Sequence, residues 1–174
     1  ASTDIFPFAM GKTPDEPFYF QREILEWLQA RENVLAWKSR RVGISWIAAA
    51  YAAWLINFHQ GVNVLFISKT EDHAKEILAK VRFVLMRLAY HDAETHELAT
   101  PADFLRGEIH TDNKQELAIG WRNNAGEWTS VSKVKSLTSD PNKSVGEGAT
   151  FVFVDEFAVL EHDREIWTAE LPTI

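Results

Sequence analysis

The chain has 174 residues, 46% of them hydrophobic and 25% charged, with 7 Trp, 11 Phe and no cysteine. That length holds one domain with a substantial core, and the missing cysteines exclude disulfides and thiolate metal sites and fit a cytosolic protein. The formal net charge of −7 argues against a broad basic face wrapped by nucleic acid and leaves room only for a local basic strip or loop.

No run approaches the ~20 apolar residues of a membrane span, and no basic-then-apolar signal pattern opens the chain. Residues 1–17 carry three prolines and a glycine and read as an irregular N-terminal arm. From Phe20 to Ala30, Ile24, Leu25 and Leu28 share one side, which predicts a helix. Asn33 to Trp37 is a short apolar run, expected as a buried strand. Ser45 to Phe58, rich in alanine and bulky apolar residues, predicts a mostly buried helix. Val62 to Ser68 predicts a second strand, and Asp72 to Tyr90 a helix with Ala74, Ile77, Leu78, Val81, Leu85 and Leu88 at helical spacing.

Residues 92–115 are polar, broken by Pro101, and carry no predicted element. Glu116 to Trp121 and Thr129 to Leu137 predict two strands of a hairpin, joined through residues 122–127. Residues 138–149 read as a polar loop with Gly146 and Gly148. Phe151-Val152-Phe153-Val154 is an unbroken apolar strand, and a further helix is expected near His162. Apolar strands alternating with long helices predict an α/β fold, a mostly parallel sheet covered by helices on both faces. The final Leu171-Pro172-Thr173-Ile174 reads as the entry to another element, so the chain is expected to be a piece of a longer protein.

The chemistry concentrates at strand ends. Lys38-Ser39-Arg40-Arg41-Val42-Gly43-Ile44-Ser45 lies between a predicted strand and a predicted helix. It has the outline of a phosphate-binding loop, in which N–H groups and a helix start face the anion. Gly43 lets the backbone approach the phosphates, and the Ser45 hydroxyl is placed to bind Mg2+. The usual lysine before the serine is replaced by Ile44. Lys38 can supply the missing cation by reaching back over the loop. Arg40 or Arg41 can do so instead, or can stabilise charge on a transferred phosphoryl group.

The second half of the site is Asp155-Glu156, delivered at the tip of an apolar strand about 110 residues further on. Asp155 suits a hydrated Mg2+, and Glu156 suits the general base that polarises an attacking water. A short Gly-x-Ser loop and an Asp-Glu pair are each common alone. Together, on separate buried strands whose ends a parallel sheet gathers at one edge, they predict a nucleotide hydrolase. Gln21, beside Phe18, Tyr19 and Phe20, can read the donor and acceptor edges of adenine with its amide. The six histidines show no paired ligand spacing. Nor are the tryptophans interleaved with basic residues as a single-strand stacking surface would require.

Taken together, these residues resemble the ATPase domain of the large terminase subunit, the DNA-packaging motor of tailed bacteriophages. The Lys-Ser-x-Arg-Val-Gly-x-Ser form, here Lys38 to Ser45, looks like the deviant Walker A of the lambda-like branch, where the lysine opens the loop. The resemblance gives Lys38 the lysine's role, Gln21 the adenine contact, and Asp155 and Glu156 the Walker B pair, followed by Phe157 and Ala158. Phe66 to Thr70, the hairpin and the loop before Asp155 are similar to the family's layout, so the likeness covers nearly the whole chain.

It implies an ASCE/RecA-like P-loop NTPase over 18–174 that uses ATP and Mg2+ to move double-stranded DNA into a procapsid. The implied partners are the portal protein and a small terminase subunit, around a homo-oligomeric, pentameric ring without membrane contact. The implied location is the host cytoplasm, docked on the procapsid, with a C-terminal nuclease domain elsewhere in the full protein. The coupling motif is expected at or beyond Thr173. For a completing arginine, Arg41 is favoured over Arg40 within the loop, while Arg122 or Arg164 can serve a neighbouring subunit. Two alternatives share these motifs. One is a helicase-like remodelling ATPase; the other, suggested by Ile44, is a P-loop module that no longer catalyses.

Overall fold

Helix α1 (Tyr19–Gln29) forms where expected and buries Gln21 and Leu25, one helical turn apart, with Ile24 and Leu28 packed beside them. It leans on helix α2 (Ile44–Phe58), whose Tyr51 hydroxyl donates to the Leu28 carbonyl at 3.0 Å. The structure is a computed structural model that describes residues 19–30, 33–36, 42–87, 105–138 and 148–156. The arm over 1–17, Lys38, Ser39, Arg40, Arg41, the loop at 139–147 and the helix expected near His162 lie outside the described residues.

Helix α2 is apolar on nearly every side, as the sequence predicts for a buried helix. Its alanines at 48, 49, 50, 52 and 53 are all buried, and small side chains let neighbouring elements approach its backbone closely. A turn with Gly61 at φ 73° leads into strand β1 (Asn63–Ser68), followed by helix α3 (Glu71–Arg87). Strands β2 (Glu108–Asp112), β3 (Glu116–Arg122), β4 (Trp128–Thr138) and β5 (Phe151–Val154) complete the described elements.

The strands form one sheet in the order β2-β3-β4-β1-β5. β1 pairs in parallel with β4 and with β5, whereas β3 is antiparallel to both β2 and β4. The sheet is therefore mixed, and the expectation of a mostly parallel one is corrected. The reason lies in chain connection: a short hairpin can only join antiparallel neighbours, while β1 to β4 and β1 to β5 are long crossovers. β2 was not foreseen within the polar 92–115 stretch. Its side chains are almost all exposed, so it carries no apolar signal, as suits an edge strand.

The strand expected at Asn33–Trp37 is also corrected over its described part. Residues 33–36 join no ladder, and Leu35 is 84% exposed. An apolar run becomes a strand only where a sheet edge accepts its N–H and C=O groups, and these residues meet no such edge.

One face of the sheet holds Val64, Phe66, Leu117, Ile119 and Val134 against α2 and α3 in a single core. Phe151 and Phe153 join that face, and the Phe66 and Phe153 rings meet edge-to-face at 5.9 Å. Fully burying a side chain such as Phe66 contributes about 1.5–3 kcal/mol. The opposite face gathers Ile67, Leu137, Val152 and Val154.

Side-chain hydrogen bonds at the start of β1 fix its register on both sides. Asn63 donates from Nδ2 to the Gly148 carbonyl at 2.8 Å and from its N–H to Thr150 Oγ1 at 3.2 Å. Ser132 Oγ accepts the Val62 N–H at 3.1 Å and donates to the His59 carbonyl at 2.6 Å. The resulting pairs include Phe66 with Ser136 and with Phe153.

Candidate functional site

The parallel strands β4, β1 and β5 end together at one edge, and α2 begins above it. Gly43 is the N-cap of α2 and sits in the left-handed region at φ 85°, ψ 6°. Its carbonyl accepts the N–H groups of Trp46 at 2.9 Å and Ile47 at 3.1 Å, which starts the helix. Among the described residues no side chain caps this helix start, and its first turn has no acidic residue, a combination that suits an anion.

Gly43 is needed here for two separate reasons. Its φ is one that L side chains rarely adopt, and an added Cβ would lie 3.0 Å from Gln21 Nε2. Gln21 itself is fully buried. The adenine candidate of the sequence is thus set against the glycine of the phosphate-loop candidate. Gly43→Ala is expected to destabilise the chain by about 1–2 kcal/mol. In urea denaturation the same change should cost less in a Gln21→Ala background, because the crowding amide is then gone. Equal costs in both backgrounds would show that the amide does not press on this backbone.

Ile44, in the position that usually carries the lysine, is buried and belongs to the core shared by α2 and the sheet. A lysine there would have to bury its stem and ammonium among apolar side chains. Ser45 is half-buried on the next position and turns the other way. Its hydroxyl donates to Asp155 Oδ2 at 3.5 Å, across 110 residues of chain.

Asp155 follows directly on β5. Its N–H donates to the Ile67 carbonyl at 2.9 Å, carrying the parallel pairing one step beyond the strand. Its Oδ1 accepts the Glu156 N–H at 3.1 Å. Glu156 is exposed and has φ 55°, a left-handed conformation held by a residue that is not glycine. Such a backbone costs on the order of 1–3 kcal/mol and marks a position where the surroundings dictate the turn. The strand alternation therefore stops at Asp155.

The structure therefore brings Gln21, Gly43, Ser45 and Asp155 together, with Glu156 adjoining. Lys38, Ser39, Arg40 and Arg41 lie outside the described residues, and Val42, half-buried, packs on the core. Arg122 is engaged in its own hairpin: its guanidinium stacks 3.7 Å over the Trp128 ring, pairs with Glu108 at 3.1 Å and donates to the Gly126 carbonyl at 2.7 Å. Arg164 falls outside the described residues.

Among the described residues no three His, Cys, Asp or Glu side chains group into a metal cage. One hydroxyl and one carboxylate are what Mg2+ needs from a protein when phosphate oxygens and water fill its other positions. The donor set fits that ion and not a transition metal. Sequence reasoning missed two features of this edge. One is the backbone turn at Glu156, which leaves no trace in residue type. The other is a role for Ser68, which the sequence places at the end of the second strand without assigning it to the site.

Solved structures that share this fold include the Thermus phage P74-26 large terminase ATPase domain. It superposes with a TM-score of 0.61 at 21% identity, over 77% of this chain and 51% of that one. An arginine-to-alanine mutant of the same domain gives 0.64 at 20% identity, over 91% and 60%. The chain thus spans only part of the length of the domains it resembles, and the likeness is one of fold. No family model and no curated protein matches the sequence. Among the described residues no helix is long and apolar enough to cross a membrane.

Proposed function

We propose that the chain is the ATP-hydrolysing unit of a terminase-type DNA-packaging motor. The observation that carries this reading is the Ser45 hydroxyl facing the Asp155 carboxylate at 3.5 Å, at the open start of α2. The two residue types that share one Mg2+ in phosphoryl-transfer sites are joined here from opposite ends of the chain. The shared fold with a large terminase ATPase domain supports the choice of motor; the sequence form of the loop supports it independently.

In the proposed site, Ser45 and Asp155 hold Mg2+, and the backbone N–H groups at Gly43, Ile44 and Ser45 receive phosphate oxygens. Held by these two residues, Mg2+ would supply positive charge against the phosphate oxygens. Lys38 supplies the cation that Ile44 cannot, with Ser39 and Val42 completing the loop. Gln21 recognises the adenine edge with the same amide that packs on Gly43. Glu156 accepts the proton of the attacking water. Arg41, or Arg40 beside it, stabilises charge on the transferred group. The motor reading assigns double-stranded DNA, the portal protein, a small terminase subunit and further copies of this chain in a ring as partners. Nuclease activity belongs to a separate domain under this reading.

Calorimetric titration with a non-hydrolysable ATP analogue and Mg2+ tests the core of the proposal. A dissociation constant of about 1 µM–1 mM is expected, in the range of working substrate concentrations. Absence of binding at millimolar analogue would reduce the chain to a P-loop module without nucleotide.

A further inference from the structure

Ser68 ends β1, and its side chain is fully buried, yet its hydroxyl has no hydrogen-bond partner among the described residues. Leaving a buried hydroxyl unpaired costs about 1–3 kcal/mol, so such a group calls for a reason. Its place in the sheet supplies one. Phe66 and Phe153 are register partners, and their rings touch on the face that packs against α2. Two residues further along each strand, the same face carries Ser68 on β1 and Asp155 beyond β5. The Asp155 N–H bond to the Ile67 carbonyl shows that the pairing persists to this point.

Neighbouring strands run about 4.8 Å apart. Ser68 therefore lies beside Asp155 without bonding to it directly, and one shared water would join the two. On the other side, Ser68 pairs with Thr138 of β4. The row at the sheet edge is thus hydroxyl, hydroxyl, carboxylate, with the Ser45 hydroxyl reaching the carboxylate from α2.

Resting on the nucleotide reading above, we infer that Ser68 is a positioning residue of the Mg2+ site: its hydroxyl donates to a water shared with the Asp155 carboxylate. This orients the carboxylate oxygen that Ser45 also addresses. Ser68 touches neither nucleotide nor reacting atoms. It acts through Asp155, as outer-shell partners of metal ligands commonly do.

The test is a Mg2+ titration of fluorescent mant-ADP binding by the wild-type chain, Ser68→Ala and Ser136→Ala. Ser136 serves as the control: it lies one step further from the edge on the same face, and its hydroxyl is already bound to the Gln115 carbonyl. Ser68→Ala should raise the Mg2+ concentration at half-saturation about tenfold, with mant-ADP affinity in EDTA unchanged. Thermal unfolding without metal should occur at the same or a higher temperature, since the change removes an unpaired hydroxyl. Ser136→Ala should keep the wild-type Mg2+ dependence. An unshifted Mg2+ dependence in Ser68→Ala overturns the inference while leaving the nucleotide site intact. So does an equal loss of mant-ADP affinity with and without Mg2+. If the wild-type chain binds no mant-ADP at any Mg2+ concentration, the nucleotide reading fails and this inference falls with it.

Discussion

Glu156→Gln is expected to lower ATP turnover by about 10²–10⁴-fold, the contribution of one positioned general base, while nucleotide affinity stays within about twofold because the binding contacts remain. The amide keeps the size and shape of the side chain but cannot accept the water's proton. The backbone argues for reading this variant cleanly. Glu156 holds φ 55° whatever its side chain does, since Asp155 Oδ1 takes its N–H and β1 takes the N–H of Asp155. Single-turnover hydrolysis and analogue binding, measured side by side, separate the two quantities. A variant that turns over as fast as wild type would remove Glu156 from the base's role.

Lys38→Ala is expected to cost about 10²–10³-fold in turnover, the usual loss when one charge-stabilising donor is removed from a transition state. The structural part of the case concerns Ile44. Because Ile44 is in the core, restoring a lysine at the ordinary position should not rescue the loss. Ile44→Lys is expected to destabilise the chain by about 2–5 kcal/mol, since it buries an ammonium without a partner. The double variant should remain inactive. Steady-state hydrolysis of Lys38→Ala, Ile44→Lys and their combination, with urea denaturation of each, checks this. Recovery of activity in the double variant would show that the loop accepts its cation from either place, and that Ile44 is a tolerated accident.

The candidate site residues could be read because chemistry is written in residue type: a serine two places after a glycine, an acid pair after an apolar strand, a lone glutamine among aromatics. The helices were legible for a similar reason, since α1, α2 and α3 bury a face or nearly all of their surface. What escaped depends on neighbours. Residues 33–36 have the apolarity of a strand and no ladder to join. β2 has a ladder and no apolarity, because one edge of β3 is enough to hold Glu108–Asp112. The hairpin of β3 and β4 was legible, but its antiparallel pairing makes the sheet mixed where a mostly parallel one was expected. The buried Gln21 and the left-handed Glu156 are consequences of packing around them, and a one-dimensional reading assigns their roles without their postures.

Among the described residues, Asn63 bonds to none of those assigned to nucleotide or metal, yet it helps set which residue of the neighbouring strand faces Ser45. It clasps the beginning of β5 through Gly148 and Thr150, at the far end of β1 from Ser68. Over that span of about 3.3 Å per residue, the ladder acts as a ruler whose zero mark is the asparagine. A slip of a single notch would present Val154 or Glu156 to Ser45 in place of Asp155, with the side chain on the wrong face. Aim is therefore set at the opposite margin of the sheet. Substitutions at that distant margin belong with those of the candidate site when loss-of-function changes in this chain are sorted.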